Sequence, residues 1–241
     1  SRVAVDTTPP TVELVAHGPA YPLGGRLFVS STSVLEITAT DPVSGGVASG
    51  VEEVEFRVDP ASGTPFTLFA SSFTLPAGPH LVEFKTRDQV GNESALSSRE
   101  VFVDTSAPAS TLVIGTPQAD LGGVVLVSPL TPLLVVSTDP TVAGAASGVR
   151  ETLVAVDSGA FTAASGTFTL SGDGTRLVRF FARDNVRNTE EPREVALVVD
   201  GVPPVAVLLS PSPSVGGMDQ AFGRGRVAVT ATVADLHLCS Y

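Results

Sequence analysis

Asp6, Asp104 and Asp200 each close a short apolar run and meet a proline within a few residues: Val3-Ala-Val-Asp-Thr-Thr-Pro-Pro10, Val101-Phe-Val-Asp-Thr-Ser-Ala-Pro108 and Val198-Val-Asp-Gly-Val-Pro-Pro204. Successive members are 98 and 96 residues apart. Asp41 recurs as Asp139, and Asp88 as Asp184. Carboxylates are hard oxygen donors, and Ca2+ takes such donors from loops that gather at one place. Asp6, Asp41, Asp88, Asp104, Asp139, Asp184 and Asp200 are therefore the candidate metal ligands, with structural Ca2+ as the only cofactor the pattern offers. The competing reading is local: an Asp in a turn accepts backbone N–H bonds and fixes the turn. No EF-hand loop is present, and spacing alone does not choose between the two.

Other chemistry is poorly supplied. His17, His80 and His237 fall at unmatched positions, none beside a nucleophile motif. Ala48-Ser-Gly50 lacks the glycine two residues before serine that Gly-x-Ser-x-Gly requires, and its return as Ala146-Ser-Gly148 marks a loop shape. Glu52-Glu53 and Glu190-Glu191 read as solvated faces. Gly122-Gly123 opens no helix, so it is no phosphate cradle. No catalytic residue and no enzymatic activity are expected.

The elements that must hold these aspartates are strands. A repeat of this period means one small domain copied in tandem. Val34–Thr40 and Glu53–Val58 alternate apolar and polar residues, the pattern of a sheet with one wet face. His80–Arg87 places Val82, Phe84 and Thr86 on one side. Thr11–Ala16 and Ser98–Asp104 read as the first and last strands, Pro65–Phe69 and Ser72–Leu75 as short ones, Arg26–Ser30 as an edge strand and Gly18–Gly25 as a loop. Gly91 and Asn92 are expected to take positive φ. The second copy answers in order: Leu153–Asp157 for Val54–Val58 and Asp59, Phe168–Leu170 for Phe73–Leu75, and Leu177–Phe180 for Leu81–Phe84. No helical period occurs. Roughly seven short strands per copy make an all-β chain of Ig-like or fibronectin-III-like β-sandwich domains in a linear tandem array. The domains are 6–103, 104–199 and an incomplete 200–241, with 1–5 as the last strand of a preceding repeat. Val227–Thr232 matches Val34–Thr40, and Val233 stands where the other copies have Asp41 and Asp139. The natural protein is expected to continue in both directions.

Composition agrees. Charged residues are only 16% of the 241, too few for a disordered acidic tail. Acids number 25 against 14 bases, a net charge of −11. No basic stripe exists for nucleic acid, and no apolar run is long enough to insert in a membrane. Cys239 is the only cysteine, so no disulfide forms within the chain.

As a set, the joint Asp-x-x-Pro-Pro, the Thr-Asp followed by Ala-Ser-Gly-Val, the strand ending at Asp59 or Asp157, Gly-x-His-x-Val-x-Phe and Arg-Asp-x-x-Gly-Asn resemble bacterial immunoglobulin-like repeats. The likeness covers 6–199 and the start of a third copy. Arg187 departs from it where glycine is usual, and Ala107 where the first joint proline is usual. The resemblance implies a non-catalytic stalk, spacer, adhesin or surface-fibre segment of a long extracellular or cell-surface bacterial protein. Its partners would be neighbouring repeats of the same chain and other copies or another chain in an assembly. Calcium stiffens some related arrays. The other function the resemblance offers is an accessory module of a secreted hydrolase, with a carbohydrate-binding face. The scarcity of aromatics, 6% with no Trp, tells against such a face.

Overall fold

The computed structural model describes residues 4–208 and 231–234. Every regular element among them is a strand. Packing gathers the chain into two compact units, one of Ser1–Leu112, Val135–Ser165 and Arg179–Arg193, the other of Val113–Leu134, Gly166–Val178 and Glu194–Tyr241.

The first stretch runs β1 (Thr11–His17), β2 (Ala20–Leu23), β3 (Arg26–Ser30), β4 (Val34–Thr40), β5 (Val51–Val58), β6 (Thr67–Leu68), β7 (Gly78–Asp88) and β8 (Ser97–Asp104). β1 and β4 pair antiparallel, Thr11 opposite Thr40. The other six form one sheet in the order β2-β3-β8-β7-β5-β6. Alternating residues of both sheets meet in one core: Leu27, Val29, Leu35, Ile37, Val82, Phe84, Val101 and Val103 are buried, with Val54, Phe56 and Val58 packed on them. Two sheets closing on one core make this a β-sandwich.

Three expectations fail here for local reasons. Gly18–Gly25 is not all loop, because Gly24 and Gly25, at φ 58° and 84°, close a two-residue hairpin between β2 and β3. Pro22 is tolerated because β2 is the sheet edge. β3 is no edge strand: it lies between β2 and β8, parallel to β8. Its Leu27-Phe28-Val29 run is buried on both faces, as a parallel pair requires. Pro65–Phe69 and Ser72–Leu75 shrink to β6 and a single bridge between Phe73 and Leu35.

The following strands are β9 (Ala109–Ile114), β10 (Gln118–Leu121), β11 (Val124–Val127), β12 (Leu133–Thr138), β13 (Val149–Val156), β14 (Thr162–Ala163), β15 (Gly174–Asp184) and β16 (Arg193–Val199). They repeat the plan, with β9 beside β12 and a six-stranded sheet β10-β11-β16-β15-β13-β14. Gly122 and Gly123 turn β10 into β11 as Gly24 and Gly25 turn β2 into β3. In the second unit Val127, Leu133, Leu170, Val178, Leu197 and Val199 are buried.

β17 (Val205–Leu208) and β18 (Ala231–Ala234) pair antiparallel with Val205 opposite Ala234. Thr11, like Val205, follows a Pro-Pro and faces Thr40, the residue before Asp41. By that register the counterpart of Asp41 is Asp235, not Val233. Of the expected strand Val227–Thr232, residues 227–230 lie outside the described residues, as do Asp235, His237 and Cys239. Ala4 and Val5 are irregular rather than a strand, and residues 1–3 are likewise outside.

Candidate metal centres

Six of the seven aspartates come together in two groups of three, both in the first unit. Asp6, Asp41 and Asp88 bring carboxylate oxygens within 4.8 Å of one another, and so do Asp104, Asp139 and Asp184. Asp200 joins neither. Its N–H donates to the Val127 carbonyl at 2.9 Å and its Oδ1 accepts the Val202 N–H at 3.0 Å.

Each triad draws on three places in a repeat: the joint five residues ahead of the first strand, the residue after that strand's partner (β4 or β12), and the end of the long strand β7 or β15. Ala-Ser-Gly-Val supplies the donors that hold them. Ser49 N–H donates to Asp6 Oδ2 and Gly50 N–H to Asp41 Oδ2, both at 2.7 Å. Ser147 N–H donates to Asp104 Oδ2 at 2.7 Å and Gly148 N–H to Asp139 Oδ2 at 2.6 Å. Gly50 and Gly148, at φ 88° and 86°, take a conformation an L side chain disfavours, which makes this loop shape recur. Asp88 Oδ1 accepts from Val90 and Asn92 N–H, and Asp184 Oδ1 from Val186 and Asn188 N–H.

Asn92 does not use positive φ; only Gly91 does, at 93°. Its carboxamide instead donates to Asp88 Oδ2 at 2.7 Å and to the Asp6 carbonyl at 3.2 Å. Asn188 does the same for Asp184 and the Asp104 carbonyl. These serines, glycines and asparagines were the site residues that sequence reasoning missed. Their signal was the recurrence of the loop itself.

Asp41 Oδ1 and Asp139 Oδ1 are buried without a hydrogen-bond partner, as are Ser49 Oγ and Ser147 Oγ. Ser49 Oγ makes no bond of good geometry, yet it lies near enough to Asp6 and Asp88 to lower both carboxyls slightly. A buried anionic oxygen with no donor beside two further carboxylates calls for a proton or a cation. The donor set of three carboxylates and a serine hydroxyl per group suits a hard divalent cation. Asp6, Asp41 and Asp88, or Asp104, Asp139 and Asp184, would hold it, and the ion would supply charge neutralisation and cross-linking rather than chemistry.

The groups ionise differently. Backbone N–H bonds from Thr8 and Ser49 hold Asp6 below the usual carboxylate range. Burial pushes Asp88 upward, but the Asn92 side chain and backbone outweigh it and the net shift is down. Burial drives Asp139 up to about 6, against the Gly148 N–H and with the charges of Asp104 and Asp184 adding to it. Asp184 is raised as well, mainly by burial.

The histidines do not assemble a nucleophile. His17 Nε2 meets Glu36 at 2.7 Å. His80 Nδ1 meets Asp59 at 2.7 Å while its Nε2 meets the Pro76 carbonyl at 3.0 Å, so both ring nitrogens are engaged. Glu52 and Glu53 pair with Arg87. Glu190 is not a solvated face: it is 7% exposed, and its carboxylate accepts from Ser110 and Ala182 N–H.

No family profile and no curated protein matches the chain. Among solved structures, the Clostridium thermocellum CbhA fibronectin(III)-like modules are similar at 16% identity and a TM-score of 0.40, covering 79% of this chain and 95% of that one. Dimeric latent PorU from Porphyromonas gingivalis is similar at 14% identity and a TM-score of 0.29, covering 88% of this chain and 26% of that one.

Proposed function

We propose that the chain is a non-catalytic spacer or adhesive segment of a long extracellular bacterial protein, a stalk or surface-fibre component built of the repeats 6–103, 104–199 and 200–241. The observation that carries this reading is the double use of Asp104. Its backbone ends β8, opposite Ser30. Its carboxylate, in a residue with 0% exposure, accepts the N–H groups of Ser106 and Ser147. The Asn188 carboxamide closes on its carbonyl. One residue thus belongs to the strand on one side and the loop cluster on the other, leaving no slack segment between them, as a length-setting element requires. Ser106 Oγ adds a bond to the Pro140 carbonyl at 3.0 Å.

Structural Ca2+ at the triads is part of the same reading, supported by the two orphaned carboxylate oxygens. Electron microscopy of the native material tests the whole: extended fibres or stalks are expected, and short free monomers alone would oppose it. The carbohydrate-binding accessory module is the weaker reading. It needs an open aromatic platform, whereas Phe56, Phe69 and Phe73 stack on one another against the core and Phe28 is 7% exposed against Phe102. Binding of the chain to a glycan array would reverse that order.

A further inference from the structure

The loop end that carries the second triad also holds a polar cleft of about 430 Å3, lined by Arg150, Glu151, Arg183, Asp184, Arg187 and Thr189. Glu151 pairs with Arg183 at 3.2 Å. Asp184 turns inward, its oxygens taken by Val186 and Asn188. Arg150 and Arg187 are exposed and make no ion pair among the described residues. Three arginines against one surface glutamate give the rim a charge of +2, in a chain whose net charge is −11.

The same place in the first copy is occupied by Glu52, Glu53, Arg87, Gly91 and Glu93. Arg87 bridges Glu52 at 3.2 Å and Glu53 at 2.6 Å. Glu93 is exposed and makes no ion pair among the described residues. Three glutamates against one arginine leave −2. Matched positions of one repeat therefore carry equal and opposite charge. Each central pair, Glu53–Arg87 and Glu151–Arg183, keeps its orientation while the flanks reverse sign.

From this complementarity we infer that the Arg150–Arg187 cleft is a docking site for a second copy of this chain, which presents its Glu52–Glu93 patch. Arginine forks suit carboxylates, and the cleft has room for the longer glutamate side chains. Because each copy carries one patch of each sign, each can give and receive. The pairs are solvent-exposed, so the contact is weak and salt-sensitive, and it chooses partner and register more than it adds affinity. The inference does not rest on the spacer reading, because it uses only the charges on two matched surfaces.

Sedimentation of the whole chain at physiological and at high salt tests it. Reversible self-association at physiological salt that fades at high salt is expected. The double variant Arg150→Glu with Arg187→Glu should weaken it by about tenfold. Glu52→Arg with Glu93→Arg should do the same. A mixture of the two double variants should restore it, a rescue that misfolding of either cannot produce. All four substituted positions are exposed, and circular dichroism of each variant checks that it is folded. A wild-type chain that stays monomeric at every concentration, association indifferent to the swap, or binding of an acidic polysaccharide without self-association would overturn the proposal.

Discussion

At Asp6, Asp41 and Asp88 two carboxyls sit below the usual carboxylate range; at Asp104, Asp139 and Asp184 two sit above it. Matching N–H groups serve both sets, so the hydrogen bonds do not make the difference. The surroundings do. Asp104 comes off β8 and is buried, whereas Asp6 comes off the irregular Ala4-Val5 and is half-exposed. Val186 beside the second triad is 1% exposed, and its counterpart Val90 is 59% exposed. Covering a loop cluster takes away the water that screens three negative charges, and the carboxyls respond by keeping their protons to a higher pH. Both clusters hold an unsatisfied carboxylate oxygen; they differ in how much water reaches the Asp6 or Asp104 side of the cluster.

The two triads should differ most at Asp104. Asp104→Ala leaves the N–H groups of Ser106 and Ser147 without their acceptor in a buried place and should cost about 2–4 kcal/mol, read by urea unfolding. Asp6→Ala removes matching bonds at an open site and should cost clearly less. Equal losses would mean that burial is not what separates the triads.

Calcium should sharpen the contrast. Adding Ca2+ after chelation should raise the melting temperature by about 5–10 °C when the ion is at roughly a hundred times its Kd. Asp139→Asn should lose more of that gain than Asp41→Asn, because the closed triad has the larger charge to neutralise. No shift with Ca2+ would remove the cation from the account.

Protons should act in the same direction without metal. The folded pKa of Asp139, about 6, lies above its ordinary 3.8. The native state therefore binds more protons between these values, and this group's contribution falls as pH rises from about 4 to about 6. Asp6 has the opposite sign: its lowered folded pKa adds stability above the ordinary value, lost as pH falls through the folded one. Asp139→Asn, which mimics the protonated form, should therefore stabilise the chelated protein at neutral pH by about 1 kcal/mol at most once solvent screening is discounted. It should also flatten the acid side of the stability curve. Destabilisation at pH 7 would show that the ionised carboxylate is the preferred form.

The smallest expected effect concerns the turn behind each triad. Arg187 holds φ 70° where the first copy has Gly91 at 93°. Arg187→Gly should relieve a left-handed conformation and raise stability by about 0.5–1 kcal/mol, while Gly91→Ala should lower it by a similar amount.

Much of this was legible in the residues. Alternation placed Leu35, Ile37, Val82 and Phe84 in the core, and the Asp spacings named every triad member. What alternation could not show was β3, whose parallel pairing with β8 buries both faces and erases the period. The β2–β3 hairpin hid behind its glycines and proline, which read as loop until two positive φ angles made them a turn. The serine and glycine N–H donors were hidden for a different reason: a backbone donor has no letter of its own, and only the repeated loop points to it. Glu190 looked like a surface acid because nothing in its neighbours announces the two backbone N–H groups that make its burial tolerable.

Small-angle X-ray scattering of the chain beside its Asp104→Ala variant tests the proposal that one buried aspartate fastens consecutive sandwiches. The wild-type curve should be fitted by a single arrangement, and the variant should require a mixture of bends at unchanged strand content. A wild-type chain that already needs the same mixture as the variant would contradict it.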